Sequence, residues 1–245
     1  MPNLTILYTG DLHGKLRPNV AERIKAEKAA CGNCLLFDAG DAVPSGNIYW
    51  RPGGEPILAR MSEIGYDAMA LGNREFHFLQ YGFKSKVSLA QFPILSANLR
   101  CKGSLCKPMI LPSAILESAG VKVAIFGLTV PMITRQMLVR LVSPYWFEDP
   151  VKVSMEIVPI LRAKADVVIA LTHVGIKVDK EIALETQGID LIIGGHTHIA
   201  STEPIVIGNT KILHSGWWGQ YLGKAELIIG RKGIEISNTL VDLRS

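Results

Sequence analysis

Seven side chains able to bind a metal ion occur at one kind of place in this chain, just past a short apolar run. Residues 4–8 lead through Gly10 to Asp11-Leu12-His13, and residues 35–37 lead through Gly40 to Asp41. Residues 69–71 lead through Gly72 to Asn73, and residues 167–171 lead through Thr172 to His173. Residues 191–193 lead through Gly194-Gly195 to His196-Thr197-His198. Taken singly, an Asp or Asn in such a place is an ordinary turn or cap residue, and a lone His is usually structural. Taken together they form a set of His, Asp and Asn without Cys, which suits the divalent ions Mn, Zn, Fe, Co or Ni. Seven ligands exceed the four of a closed structural zinc site and suit two ions sharing a carboxylate. Two ions a few Å apart can hold a bridging hydroxide as nucleophile and neutralise phosphoryl oxygens, which is the chemistry of phosphate-ester hydrolysis.

The elements that must position these residues read as alternating strands and helices. Apolar runs at 4–8, 35–37, 69–71, 94–96, 121–126, 167–171 and 191–193 predict strands. A helix is expected over 20–30, with Asn19 and Glu22 as a capping box. Another is expected over 55–64, stopped by Gly65. A third opens at Asp149-Pro150 and should kink or break at Pro159, and a short one runs over 179–187. After Pro204 the pattern turns to hairpins, with turns at Asn209 and at Arg231-Lys232-Gly233. The class is α/β with an antiparallel portion at the end. In such sheets ligands bind beyond the carboxyl ends of the strands, so neighbouring strands would bring the seven side chains to one spot. In four of the five places a Gly precedes the ligand, which permits a sharp exit and close backbone approach.

Composition is that of an ordinary globular protein: 245 residues, 48% hydrophobic and 20% charged. The length suits a single domain over residues 1–245. The net charge of +4 comes from scattered Lys and Arg, so no nucleic-acid partner is expected. No run approaches the roughly 20 apolar residues of a membrane span, and no leader pattern opens the chain. The expectation is a cytoplasmic protein with no membrane partner, acting on a small-molecule phosphate ester. Cys31/Cys34 and Cys101/Cys106 could form local disulfides, a zinc site or a redox pair; an intracellular setting favours plain thiols.

The ordered motifs Asp11-Leu12-His13, Gly40-Asp41, Gly72-Asn73, His173 and Gly195-His196-Thr197-His198 resemble those of the calcineurin-like metallophosphoesterase superfamily. Segments 54–57, 65–73, 92–98 and 219–223 are similar to the catalytic domain of its 5'-nucleotidase branch. The resemblance spans nearly the whole chain. It implies a four-layer α/β/β/α sandwich with two mixed β-sheets. It also implies that Asp11, His13 and His198 hold one metal ion, that Asn73, His173 and His196 hold the other, and that Asp41 bridges them.

Two departures stand out. The family usually reads G-N-H-E-F-D, with the His acting on the leaving group; this chain reads Gly72-Asn73-Arg74-Glu75-Phe76-His77. Arginine stays protonated and is a poor proton donor at neutral pH, but it can stabilise developing phosphoryl charge. The expectation is that Arg74 clamps the phosphate while His77 takes over proton donation. The second departure is that the chain ends at Ser245, just past the catalytic portion, so no C-terminal substrate domain of the nucleotidase kind is expected. Trp217, His214 and Asn98 are then the candidates for substrate contact. Phosphomonoesters, nucleotide-like ones among them, are the expected substrates. Phosphodiesters fit the same residues, and Arg74 in place of the His keeps open a sulfur ester or a non-catalytic metal-binding role.

Overall fold

The computed structural model describes residues 3–103, 109–230 and 233–244. Its strands are β1 (Asn3–Thr9), β2 (Cys34–Asp38), β3 (Ala68–Ala70), β4 (Ile94–Leu95), β5 (Leu99–Cys101), β6 (Ser113–Ser118) and β7 (Val121–Thr129). They continue as β8 (Tyr145–Phe147), β9 (Val167–His173), β10 (Leu191–Gly194), β11 (Ile205–Ile207), β12 (Thr210–His214), β13 (Tyr221–Gly230) and β14 (Gly233–Asp242). The helices are α1 (Pro18–Cys31), α2 (Pro56–Ile64), α3 (Gln80–Val87), α4 (Pro150–Arg162) and α5 (Ile176–Glu185).

Two six-stranded sheets result, ordered β14-β13-β1-β2-β3-β4 and β11-β12-β10-β9-β7-β6. β1 to β4 run parallel, as do β7, β9, β10 and β12. Antiparallel strands β13, β14, β6 and β11 make both sheets mixed. The parallel strands read as continuous apolar runs because both their faces are covered; all seven residues of β9 are buried. Side chains such as Ile6, Phe37, Ile169, Leu171 and Ile193 fill the space between the sheets. Leu36, Met61 and Phe83 pack the first sheet against α1 to α3, and Phe126, Val158 and Ile182 pack the second against α4 and α5. These are the four expected layers. Each large apolar side chain fully removed from water contributes about 1.5–3 kcal/mol, so the buried parallel strands contribute much of the apolar stabilisation of the two sheets. The candidate ligands all leave from those strands.

Local signals mostly act as their chemistry dictates. Gly65 takes φ 89° and its N–H donates to the Met61 and Ser62 carbonyls, ending α2. The Asp149 carboxylate accepts from the Lys152 amide and caps α4. Three expectations fail. α1 starts at Pro18, with Arg17 as N-cap and no side-chain cap, so the Asn19–Glu22 box does not form. α4 runs through Pro159 to Arg162, its last turn seated by buried Val158 and Leu161. α5 starts at Ile176 rather than Asp179, because Gly175 at φ 84° ends the loop after β9. α3, β5, β6 and β8 have no counterpart among the expected elements. The Asn209 turn joins β11 to β12; of the other expected turn, Arg231 and Lys232 lie outside the described residues. Cys31 and Cys34 are free thiols as expected, whereas Cys101 is disulfide-bonded, and Cys106 lies outside the described residues. Among the described residues no helix is long and apolar enough to cross a membrane.

Candidate metal centre

The ends of β1, β2, β3, β9 and β10 converge, and all seven expected ligands meet there. His13 Nε2 lies 3.0 Å from His198 Nε2. Asp11 Oδ1 lies 3.6 Å from the first and 3.4 Å from the second. Asp41 Oδ1 is 3.4 Å from His173 Nε2. Asn73 Oδ1 joins His173 Nε2 at 3.2 Å and His196 Nδ1 at 3.1 Å. Two overlapping donor groups emerge, Asp11/His13/His198 and Asp11/Asp41/His173.

Main-chain strain accompanies this convergence. Asp11, His13, Asp41, His196 and His198 all take positive φ, between 45° and 77°. Non-glycine residues rarely adopt this region, at a cost of order 1–2 kcal/mol each. The expected role of the preceding glycines is therefore only partly met. Gly40 does take φ 96°, but Gly72 serves close approach instead: a Cβ there would lie 2.2 Å from the Asp41 amide nitrogen.

Hydrogen bonds hold the strained loops in place. The Asp11 amide donates to the Gly40 carbonyl, the His13 amide to the Asp41 carbonyl, and the Trp218 amide to the Asp11 carbonyl. The His196 amide donates to Asp11 Oδ2 at 2.8 Å. His173 Nδ1 faces the Ala39 carbonyl at 2.9 Å. A carbonyl only accepts, so Nδ1 carries the proton and Nε2 is turned to Asn73 and Asp41, the usual outer support of a ligating histidine.

Burial and charge divide the ligands. Burial raises the Asp11 carboxyl above its usual range. Burial would raise Asp41 too, but His173 and the Arg74 amide outweigh it and hold Asp41 low. His13 is pushed down to about 4 by burial and then by the Arg74 charge, and His196 is lowered by burial and His173. For His173 burial opposes the charge, yet Asp41 and Asp11 prevail and lift it to about 9.

The donor set fits divalent metal ions on an independent observation. Asp11 Oδ1 is buried and has no hydrogen-bond partner among the described residues, although such an atom left unpaired costs about 1–3 kcal/mol or more. It points at two imidazole nitrogens that themselves sit 3.0 Å apart. Separations of this size between donors are what bonds of about 2.0–2.2 Å to a shared ion would produce.

The other expected site residues fare differently. Arg74 lies at the centre: its amide donates to Asp41 Oδ1 at 2.8 Å, its Nε is 3.5 Å from Asp41 Oδ2, and its Nη1 donates to the Pro44 carbonyl at 2.7 Å. Trp217 stacks on His198 with centroids 5.6 Å apart and planes 25° apart. His77, expected to donate a proton, is buried with both ring nitrogens engaged by main chain. Nδ1 accepts from the Leu79 amide, and Nε2 faces the Ile48 carbonyl, so its place is that of a brace ahead of α3. His214, expected in the pocket, is instead buried against Asp179 of α5, Nε2 to Oδ2 2.9 Å. Asn98, also expected to touch substrate, is buried with its amide spent on Thr129 and Glu148 main chain.

Two residues important to the centre belong to none of the expected sets. The Glu75 carboxylate, fully buried, accepts from the amides of Asp41, Gly72 and Val43 at 2.9–3.0 Å. Buried Lys86 donates to the Gly46 carbonyl, the Ser45 hydroxyl and the Arg74 carbonyl. Nothing in the sequence singles them out: Glu75 follows Arg74, and Lys86 follows Lys84 and Ser85 in α3, so each reads as an ordinary surface charge.

A fold of two mixed sheets with these ligands at their shared edge defines a class. The model of calcineurin-like phosphoesterases matches residues 4–200, and the chain belongs to that family. Within it the chain stands in the 5'-nucleotidase branch. It is 32% identical to the trifunctional nucleotide phosphoesterase YfkN of Bacillus subtilis (strain 168), over 95% of this chain and 18% of that protein. It is 30% identical to a 5'-nucleotidase of Vibrio cholerae serotype O1, over 91% of this chain and 48% of that protein. The crystal structure of a 5'-nucleotidase precursor from Thermus thermophilus superposes with a TM-score of 0.80 at 26% identity, covering 98% of this chain and 55% of that one. The chain spans about half the length, or less, of these curated relatives.

Proposed function

We propose that the chain hydrolyses small phosphate esters, nucleotide-like monoesters foremost, at a centre of two divalent metal ions. Asp11, His13 and His198 would hold one ion, and Asn73, His173 and His196 the other. Asp41 would serve both; it acts electrostatically on His13 as well as on His173. Bound ions would activate water and draw charge from the phosphoryl oxygens. The chain's own part is to orient and to balance charge. Ala39 fixes the His173 tautomer, Glu75 holds the Asp41 and Gly72 loops together, and Arg74 offers a guanidinium to an anionic ester beside Asp41. Trp217 walls the centre at His198. The observation that carries this reading is the buried, unpartnered Asp11 Oδ1 facing two imidazoles.

Arg74 favours one kind of ester within that class. A guanidinium cannot hand over a proton at neutral pH, so esters whose leaving group departs unprotonated should react fastest. The test is reconstitution of chelator-treated protein with Mn or Zn, followed by assay on p-nitrophenyl phosphate, AMP and an alkyl phosphate. Two equivalents of metal should bind, and activity should appear with them, the aryl ester leading. Metal-loaded protein that hydrolyses none of these above a buffer control would overturn the proposal.

A further inference from the structure

Next to the centre lies a cavity of about 370 Å³ whose lining includes Lys15, Arg17, Asn19, Trp218, Gln220 and Arg244. It is joined to the ligands by short links. Trp217 stacks on His198, and Trp218 meets Trp217 edge-on at 6.3 Å. The Trp218 amide donates to the Asp11 carbonyl, and the Lys15 amide donates to the Leu12 carbonyl.

Three features of the cavity point to a ligand. Trp218 is 52% exposed, and its main chain is held at φ 59°, a conformation a bulky residue rarely takes. A large ring is thus kept in water, at a backbone cost, by a bond to a candidate metal ligand. Lys15 and Arg17 form no ion pair with any described residue, while Arg244 is balanced by Asp242 and lies over the Tyr221 ring. The walls therefore offer two unbalanced cations, two side-chain amides and one ring face, with no acidic residue among the lining. A planar ring on Trp218 together with an anion on Lys15 and Arg17 satisfies the ring face and the two cations. The volume falls in the range of small-molecule pockets.

We propose that this cavity is a second substrate subsite. It takes the part of a nucleotide beyond the scissile phosphate, its base on Trp218 and a further phosphate between Lys15 and Arg17. The chain would thereby prefer nucleotides carrying a second phosphate to bare monophosphates. This rests on the phosphohydrolase reading above.

The experiment compares kcat/KM for adenosine 3',5'-bisphosphate and for phenyl phosphate in the metal-loaded protein. In Trp218→Ala and in the Lys15→Ala/Arg17→Ala double variant, the ratio of the two should fall at least tenfold, chiefly through KM for the bisphosphate. Lys25→Ala, which removes an exposed cation of α1, should keep the wild-type ratio. A second readout needs no turnover. In chelator-treated wild-type protein the bisphosphate should quench tryptophan fluorescence, with an apparent affinity at least tenfold weaker in the Lys15→Ala/Arg17→Ala variant. Wild-type ratios and wild-type quenching in the variants would overturn the subsite. So would an equal loss on both substrates with quenching unchanged. Quenching that follows the cations in a protein hydrolysing no ester would leave the subsite standing and end the phosphohydrolase reading.

Discussion

Glu75 sits where two loops of the centre meet, and its substitution separates support of the candidate ligands from stability of the fold. One carboxylate oxygen accepts from the Asp41 and Gly72 amides, and the other accepts from Val43. In Glu75→Gln the amide oxygen can keep the first two bonds, but the NH2 group then faces the Val43 N–H, leaving one buried donor unpaired at about 1–3 kcal/mol. An opposing effect is of similar size. Burial, followed by the Asp41 charge, pushes the Glu75 carboxyl from 4.5 to about 7. Its ionised form therefore weakens the fold progressively as pH rises from about 4.5 to about 7, by about 3 kcal/mol in all. Glutamine removes that cost, so Glu75→Gln should change stability at neutral pH by no more than about 2 kcal/mol. Glu75→Ala leaves all three N–H groups unpaired, roughly 3–9 kcal/mol before relief of the charge, and should be severely destabilised. The proposed metal centre should respond differently, because a neutral amide holds the Asp41 loop less firmly than a carboxylate. Removal of such outer support typically lowers metal affinity roughly 10–100-fold. Thermal unfolding in chelator and competitive metal titration measure the two quantities separately. A Glu75→Gln protein binding metal as tightly as wild type, or a Glu75→Ala protein with an unchanged midpoint, would refute this account.

Other consequences can be checked with equally simple measurements. Arg74→Ala should lower kcat for aryl phosphates by about 10²–10³, the scale for losing one group aimed at developing charge, while moving the unfolding midpoint little because the side chain is 34% exposed; a kcat within about twofold of wild type would count against the clamp. Asp38 is fully buried, and burial raises its carboxyl from 3.8 to about 7. Ionising it thus costs the fold stability as pH climbs from about 4 to about 7, by up to about 4 kcal/mol. Asp38→Asn, which can still accept from the Gly40 amide and meet Thr9, should flatten the fall in urea midpoint of the chelated protein between about pH 4.5 and about pH 7.5, and an unaltered slope would contradict the assignment. Gly127→Ala would set a Cβ 2.0 Å from the Leu95 carbonyl oxygen, whereas Gly46→Ala meets nothing within 4 Å. The first should cost more than about 3 kcal/mol or abolish soluble expression, and the second should be near neutral by the same denaturation assay.

What can be read from the sequence follows from how each residue does its work. The seven candidate ligands are legible because residue type and position coincide: each is a side chain able to bind a metal where a buried strand runs out, and a parallel sheet gathers such ends at one edge. Strand-end position does not say which way a side chain leaves the sheet, and there the expectations fail. His214 ends β12 opposite Gly194 of β10, but its ring turns toward the α4 and α5 layer, where the buried Asp179 carboxylate waits. Asn98 follows β4 as expected, yet its amide ties the Thr129 and Glu148 main chains. Adjacency along the chain makes His77 a partner for Arg74, whereas the turn before α3 carries it to the Ile48 and Leu79 main chains. Glu75 and Lys86 are invisible for a related reason. Apart from the Ser45 hydroxyl they contact backbone groups, which every residue possesses, so little elsewhere in the sequence marks their targets. The strain at Asp11, His13, Asp41, His196 and His198 is equally hidden, since positive φ is expected at glycine and these are not glycines. Strained residues need a rigid surround to persist, and Glu75 supplies it at Asp41, while main-chain bonds to Gly40, Asp41 and Trp218 and the Asp11 carboxylate supply it at Asp11, His13 and His196. The chemistry of this centre is thus written in its candidate ligands, and part of its support in charged residues outside that set, Glu75 at the Asp41 amide and Lys86 at the Arg74 carbonyl.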